Sequence, residues 1–157
     1  NFLLASLVVN FLIGSNTRKI PLDFNQEFVE GRFEIINRNP LKILDGAHNI
    51  DGFIKTIEDF EKVYSLEDTQ LYLGFKNGKN IENIISYLKP KKQYKLNFIK
   101  EDSFFDQQNP NNFIDYLKDE NIDYKIVDLE VFSSNKNPSI LLGSLYLIGE
   151  YKKRKFT

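Results

Sequence analysis

Short apolar runs alternate along this chain with segments whose apolar residues recur every three or four positions. Residues 50–64 have this helical period, and residues 71–75 then form a strand-like run before a second periodic segment. Strands that alternate with helices form a mostly parallel sheet covered on both faces. We therefore predict an α/β, Rossmann-like fold. The predicted strands after residue 50 are 71–75, 93–99, 124–129 and 139–142, and the predicted helices are 50–64, 81–88 and 113–117.

The sheet is expected to open with an antiparallel hairpin. Two apolar runs, residues 33–36 and 42–44, flank the turn-forming sequence Asn-Arg-Asn-Pro at 37–40. The main domain is therefore predicted to cover residues 30–157. Residues 15–29 have no sustained period and are predicted to be a linker, and residues 1–14 are predicted to be a mostly buried helix. That first segment is shorter than the roughly 20 residues that cross a bilayer, and it has no basic start of the kind a signal peptide carries.

Composition excludes several classes of function. The chain has 157 residues, of which 41% are hydrophobic, and this is enough for one well-buried core. Its formal net charge is -1, so no overall field favours nucleic acid or an anionic membrane as a partner. With no cysteine, disulfides, thiolate metal sites and cysteine nucleophiles are excluded, and we expect a cytoplasmic protein. The basic residues 152–155 are predicted to be a solvated terminus.

The loops that follow parallel strands emerge at the carboxyl edge of the sheet, where ligands bind in such folds. Three glycine-containing loops are predicted to meet there, at residues 45–51, 74–80 and 143–144. Glycine allows the backbone to approach a ligand closely. We expect the functional site at this edge.

The first of these loops contains the only histidine, in the run Asp45-Gly46-Ala47-His48-Asn49. A carboxylate such as Asp45 can accept hydrogen bonds from a ribose or an ammonium group, and His48 can contact phosphate or carboxylate oxygens. Alternatively, the aspartate and asparagine only cap the next helix. A lone histidine without thiolates or an H-E-x-x-H pattern is a poor metal site, so no metal ligands are predicted.

Two further residues are candidates for anion binding. The Arg32 guanidinium can hold a phosphate or carboxylate bidentately, although it could also be an ordinary surface arginine. Ser144 follows Gly143 at a predicted helix start, where its hydroxyl and backbone N–H either bind a carboxylate or cap the helix. The chain contains neither a G-x-x-x-x-G-K-[ST] phosphate loop nor G-x-G-x-x-G, so by itself it should not hydrolyse ATP.

Four motifs in order resemble one family. They are Gly-Arg-Phe-Glu at 31–34, Ile-Leu-Asp-Gly-Ala-His-Asn at 43–49, Leu-Gly-Phe-Lys-Asn-Gly-Lys-Asn at 73–80 and Gly-Ser-Leu-Tyr-Leu-Ile-Gly-Glu at 143–150. Together they are similar to the carboxyl-terminal domain of folylpolyglutamate synthase/dihydrofolate synthase, in the Mur ligase superfamily. The resemblance covers residues 30–157. Residues 1–14 resemble the last helix of that family's central ATPase domain, which makes the chain look like the end of a longer enzyme.

The resemblance implies an ATP-dependent ligase that phosphorylates a folate or pteroate carboxylate and joins it to the amino group of L-glutamate. It implies ATP and Mg²⁺ as cofactors, both held mainly by the central ATPase domain in cis, and a monomeric protein. By motif, Arg32 corresponds to an arginine that reaches ATP phosphates, and Asp45 to an aspartate on the nucleotide side of the cleft. His48 corresponds to a catalytic histidine, and Asn49 and Ser144 are expected to bind substrate.

The sequence also departs from the family pattern. Glu30 stands where the family usually has proline, and Asn77-Gly78-Lys79 replaces an acidic, basic, acidic triplet. Two other interpretations stay open at this point. The chain could belong to a different Mur-type amino-acid ligase, or it could be a stand-alone ligand-binding module with a Rossmann-like sheet.

Overall fold

The computed structural model describes residues 29–64, 68–75, 81–100 and 110–155, without the side chains of residues 110–114 and 155. The predicted helix at 1–14, most of the predicted linker and the loop at 76–80, which contains Asn77-Gly78-Lys79, lie outside the described residues. Over the described ranges, no helix is both long enough and apolar enough to cross a membrane.

The described residues form one six-stranded sheet flanked by helices. The spatial order of its strands is β1-β2-β6-β3-β4-β5; β1 runs antiparallel to β2, and all other neighbours are parallel. The predicted α/β fold with an initial hairpin is confirmed. The strands are β1 Glu34–Arg38, β2 Leu41–Asp45, β3 Thr69–Leu73, β4 Tyr94–Ile99, β5 Tyr124–Val127 and β6 Ser139–Leu142; the helices are α1 Ile50–Val63, α2 Ile81–Leu88, α3 Pro110–Asp119, α4 Leu129–Ser134 and α5 Leu145–Lys155.

The core lies on both faces of the sheet. On one face, α1, α2 and α3 cover the larger cluster, in which Phe53, Ile57 and Phe60 lie at helical spacing along α1. On the other face, α4 and α5 pack on a smaller cluster around Phe132 and Tyr151, whose rings meet edge to face with centroids 5.1 Å apart. Burial on two faces explains why the central strands β2, β3 and β6 are buried along almost their whole length.

The strand register aligns the carboxyl ends of the central strands. Asp45, the last residue of β2, lies opposite Leu142 of β6, which lies opposite Leu73 of β3. The chain therefore leaves all three strands at the same edge. Gly74 donates its N–H at 3.0 Å to the carbonyl of Leu142, the last residue of β6, so one predicted loop begins beside the residue that precedes another. The predicted convergence is confirmed for the described part of these loops.

The prediction of a strand through residue 129 is wrong at its end. β5 stops at Val127, and Leu129 is the first residue of α4, a six-residue helix that the sequence analysis missed. Leu129 and Phe132 are both buried and lie three residues apart, which is helical spacing, but a helix of fewer than two turns is too short to give a clear period. Helix α3 is also longer than predicted and begins at Pro110, whose missing N–H is no loss in the first turn.

The prediction of a solvated basic terminus is wrong for Lys152. Helix α5 continues through this segment, and Lys152 Nζ lies 2.9 Å from Glu34 and 3.2 Å from Glu30 with only 21% of its side chain exposed. Burial lowers the pKa of Lys152, but the hydrogen bonds and charges of Glu34 and Glu30 outweigh it and raise the pKa above its ordinary value. Arg154 pairs with Glu130 at 2.8 Å. These ion pairs attach α5 to β1 and α4.

We predict that Gly143→Ala destabilises the fold much more than Gly149→Ala. Gly143 has φ +120°, and a Cβ there would lie 2.4 Å from the Gly74 carbonyl oxygen, whereas a Cβ at Gly149 would meet nothing within 4 Å. Backbone strain alone should cost roughly 1–3 kcal/mol at Gly143. Alanine at Gly149, inside α5, should be neutral or stabilising by up to about 1 kcal/mol. Urea unfolding followed by circular dichroism measures both, and equal losses would contradict the role assigned to Gly143.

Candidate functional site

The Asp45 carboxylate joins three segments at the carboxyl edge. The side chain is buried, with the residue only 6% exposed. Its Oδ2 accepts the Phe33 N–H at 2.9 Å and lies 3.1 Å from the Thr56 hydroxyl oxygen, while Oδ1 accepts the Ala47 N–H at 2.7 Å. One carboxylate thus connects the segment before β1, the loop after β2 and helix α1. About one of its roughly four acceptor positions is left for a ligand.

Thr56 is a site residue that the sequence analysis missed. It lies on the buried face of α1, and its hydroxyl is within hydrogen-bond distance of both Asp45 Oδ2 and the Gly52 carbonyl, at 3.1 and 3.0 Å. The hydroxyl has one proton, so it serves these acceptors alternately. The signal in the sequence was a threonine beside Ile57 on an otherwise apolar face, because a buried hydroxyl needs a polar partner.

Arg32 is held by its backbone neighbours and presents its side chain to solvent. Gly31, at φ 69°, accepts the Gly46 N–H at 2.7 Å, and Phe33, at φ 45°, donates to Asp45. The residues on either side of Arg32 are therefore fixed to the end of β2. Arg32 is exposed, and within the described part of the chain its guanidinium makes no hydrogen bond or ion pair. The guanidinium is available for an anion at this edge.

The two residues after Ala47 have different environments. Asn49 is the N-cap of α1, and its Oδ1 accepts the Gly52 N–H at 2.8 Å, so the capping interpretation is confirmed for this side chain. His48 is exposed, with Nδ1 3.4 Å from the Gly46 carbonyl oxygen. This weak contact favours the tautomer protonated at Nδ1, which leaves Nε2 as an acceptor.

Ser144 is brought to the same place by the close packing of α5. The residue is buried, and its hydroxyl accepts the Tyr146 N–H at 3.2 Å, which is the capping arrangement considered above. Next to it, Leu145 lies against Gly46, where an added Cβ would come within 2.3 Å of the leucine side chain. The loop after β2 is therefore in direct contact with the first residue of α5.

This edge is suited to binding anions. The guanidinium of Arg32 and the imidazole of His48 are exposed there, and α1 and α5 both begin there, with the positive ends of their dipoles at the same edge. Among the residues that the structure describes, no group of three histidine, aspartate or glutamate side chains could hold a metal ion. The geometry brings Arg32, Asp45, His48 and Ser144 to one edge, and their contacts with ligands stay predictions.

Comparison with known proteins supports the fold. No protein-family model matches the sequence, and no curated protein matches it significantly. Solved structures do match. Folylpolyglutamate synthase from Thermotoga maritima is 24% identical with a TM-score of 0.61, and the match covers 81% of this chain and 30% of that one. Folylpolyglutamate synthetase from Helicobacter pylori is 17% identical with a TM-score of 0.66, over 98% of this chain and 39% of that one.

A third match has bound ligands. The bifunctional folylpolyglutamate synthase/dihydrofolate synthase from Yersinia pestis, complexed with AMPPNP and manganese, is 16% identical with a TM-score of 0.61, over 82% of this chain and 32% of that one. This chain thus spans about a third of the length of the solved structures that it matches. The resemblance stated from the motifs is confirmed at the level of the fold.

We predict that Asp45→Asn destabilises the protein by about 1–3 kcal/mol. The carboxylate accepts hydrogen bonds at both oxygens, whereas the NH₂ group of asparagine can only donate, so it would face an N–H or hydroxyl donor without an acceptor between them. Asp115→Asn is the matched control, since that carboxylate is 64% exposed and its nearest cation is 3.8 Å away. The control should change the free energy of unfolding by less than about 0.5 kcal/mol. Both values come from urea titrations, and a loss no larger at Asp45 than at Asp115 would contradict the network described here.

Proposed function

We propose that this chain acts as the carboxyl-terminal, glutamate-ligase domain of an ATP-dependent ligase of the folylpolyglutamate synthase/dihydrofolate synthase type. The observation that carries the proposal is the meeting of the 31–34, 43–49 and 143–150 motifs at one sheet edge, in a fold shared with folylpolyglutamate synthases. Its substrates would be L-glutamate and a folate-type acceptor. A central ATPase domain in cis, a monomeric state and a cytoplasmic location are parts of the same proposal.

The proposed reaction has two steps. A carboxylate oxygen of the acceptor attacks the terminal phosphorus of ATP, and ADP leaves. The amino nitrogen of glutamate then attacks the carbonyl carbon of the acyl phosphate, inorganic phosphate leaves, and the nitrogen loses a proton. Because water also attacks an acyl phosphate, the reaction needs a closed cleft in which amine and carbonyl are aligned.

The residues at the carboxyl edge suit one side of such a cleft. The exposed Arg32 guanidinium would offset negative charge on the transferred phosphoryl group. His48 would contact phosphate or carboxylate oxygens, or accept a proton at Nε2, and Ser144 and Asn49 would contact substrate from the starts of α5 and α1. Asp45 would accept a hydrogen bond from the nucleotide at the one acceptor position that its internal hydrogen bonds leave unused.

ATP and Mg²⁺ are proposed to bind mainly outside the described residues. These residues contain no cluster that could hold a metal ion, and the sequence contains no phosphate loop. When bound, the metal would neutralise charge on the ATP phosphates. Leu145 and Tyr146, 46% and 73% exposed at the start of α5, add apolar surface beside the edge and support contact with a neighbouring domain.

The test is ATP- and folate-dependent incorporation of radiolabelled L-glutamate by the longer protein that carries this sequence. Arg32→Ala should lower the rate about 100-fold, because it removes a charge that stabilises the transition state. His48→Ala should lower it by a similar factor. Arg38→Ala is the matched control, because Arg38 is exposed at the far end of β1, and it should leave the rate within about twofold of wild type.

Two further arms make the assay decisive. The 157-residue chain alone should incorporate no glutamate, and circular dichroism should show that every variant is folded. Dihydropteroate and a muramyl peptide are supplied as alternative acceptors. A folded protein that incorporates glutamate with neither folate-type acceptor would contradict the proposal, and turnover of the muramyl peptide alone would assign a different Mur-type ligase.

A further inference from the structure

A cavity lies at the opposite edge of the sheet, at the amino-terminal ends of β4 and β5. Its volume is about 520 Å³, within the range typical of sites for small organic ligands. It is bounded by the end of α2, the turn before β4 and the turn before β5. The cavity is lined by β4 from Tyr94 to Asn97, whereas the strand ends with Ile99 at the carboxyl edge, so the cavity opens at the other end of the strand.

The cavity carries an excess of positive charge. Five lysines line it, at positions 89, 91, 92, 95 and 125, whereas Asp123 is the only acidic residue that the described part of the chain contributes to its wall. Lys91 pairs with Glu61 at 2.8 Å and Lys89 pairs with Glu120 at 2.5 Å. The five lysines outnumber the carboxylates of Asp123, Glu61 and Glu120 by two. The cavity therefore has an excess of two positive charges, although the net charge of the whole chain is -1. No ion pair within the described ranges involves Lys92, Lys95 or Lys125.

The rest of the wall is suited to an organic molecule. Tyr94 and Leu96 are buried, and Tyr124 is half-buried against the same core. Asn97, 3% exposed, also lines the cavity, and its Nδ2 is fixed by the Gln70 side-chain oxygen at 3.1 Å and the Lys95 carbonyl at 3.2 Å. The amide N–H groups of Asn97 are therefore already bonded within the protein, so the lysines supply the polar contacts to a ligand, and the buried residues beside them give the wall a defined shape.

We propose that this cavity binds a small organic anion that carries at least two phosphate or carboxylate groups. Two net positive charges require a ligand of at least two negative charges for neutralisation, and the apolar wall accommodates its carbon skeleton. Lysine is a point charge that pairs with phosphate and carboxylate alike, so the ligand is assigned by charge and size. This proposal is independent of the proposed ligase activity, which concerns the other edge.

The experiment titrates the ¹⁵N-labelled 157-residue chain with inorganic pyrophosphate or with citrate at constant ionic strength, and follows amide chemical shifts by NMR. Saturable shifts confined to residues 89–97 and 122–125 are expected with one or both probes, and the more effective probe shows whether phosphate or carboxylate is preferred. Acetate, with a single charge, should give no saturable shifts. Shifts that are spread over lysines outside the cavity, or that do not saturate with either probe, would overturn the proposal.

Variants test the assigned lysines. The triple change Lys92→Gln, Lys95→Gln and Lys125→Gln should weaken binding at least tenfold. The control changes Lys55→Gln, Lys62→Gln and Lys153→Gln, which removes the same charge outside the cavity, should weaken it less than threefold. Equal weakening would mean that only the overall charge attracts the anion, which would overturn the proposal. If the first variant does not fold, the shift map of the wild-type chain still decides.

Discussion

The carboxylate of Asp45 is the constraint on which the candidate site depends. A buried charged group is costly unless its hydrogen bonds are satisfied, and Asp45 obtains them from three different segments of the chain. Each donor is a point at which a segment is fixed: Phe33 before the hairpin, Ala47 in the loop, and Thr56 in α1. The position of Arg32 follows, because its backbone lies between Phe33 and Gly31, which is itself bonded to Gly46. Removing this carboxylate would take one hydrogen-bond partner from all three segments together.

Steric fit at the same edge sets the position of α5. The helix begins where Leu145 packs on Gly46, and Leu147 packs on Gly74, so side chains at those glycines would displace it. At its other end, Lys152 pairs with Glu34, and Glu34 also accepts the Gly31 N–H at 2.7 Å. The helix is thus positioned by sterics at its start and by charge near its end. Gly46 and Glu34, which α5 contacts at its two ends, are both hydrogen-bonded to Gly31, the residue before Arg32. The helix and the backbone of Arg32 are therefore fixed relative to each other.

Much of the fold could be predicted because its signals are local. The hairpin, the central parallel strands and α1 follow from apolar periods within a few residues, and the meeting of three loops follows from strand direction alone. The misses are of another kind. Helix α4 has fewer than two turns, too few to show a period, and the bonds from Thr56 to Asp45 and from Lys152 to Glu34 each join two different elements of the structure. Pairings of that kind are decided by tertiary packing, so a threonine or a lysine alone does not reveal them. Strand direction located the edge, but it did not show which side chains there already have hydrogen-bond partners within the protein.

That distinction bears on the proposed ligase. Asn49 and Ser144 use their side-chain oxygens to cap α1 and α5, and Asp45 uses most of its acceptor capacity internally. Arg32 and His48 therefore have the most side-chain surface available to a ligand, and both favour negatively charged or oxygen-rich groups. An arginine and a histidine can bind and orient phosphate, but they cannot cradle a nucleotide with its metal or exclude water from an acyl phosphate. Under the proposed function, those tasks fall to groups contributed from outside the described residues. The carboxyl edge would supply one prearranged wall of the cleft, and those groups would close against it. The hydrogen bonds of Asp45 would hold that wall in place.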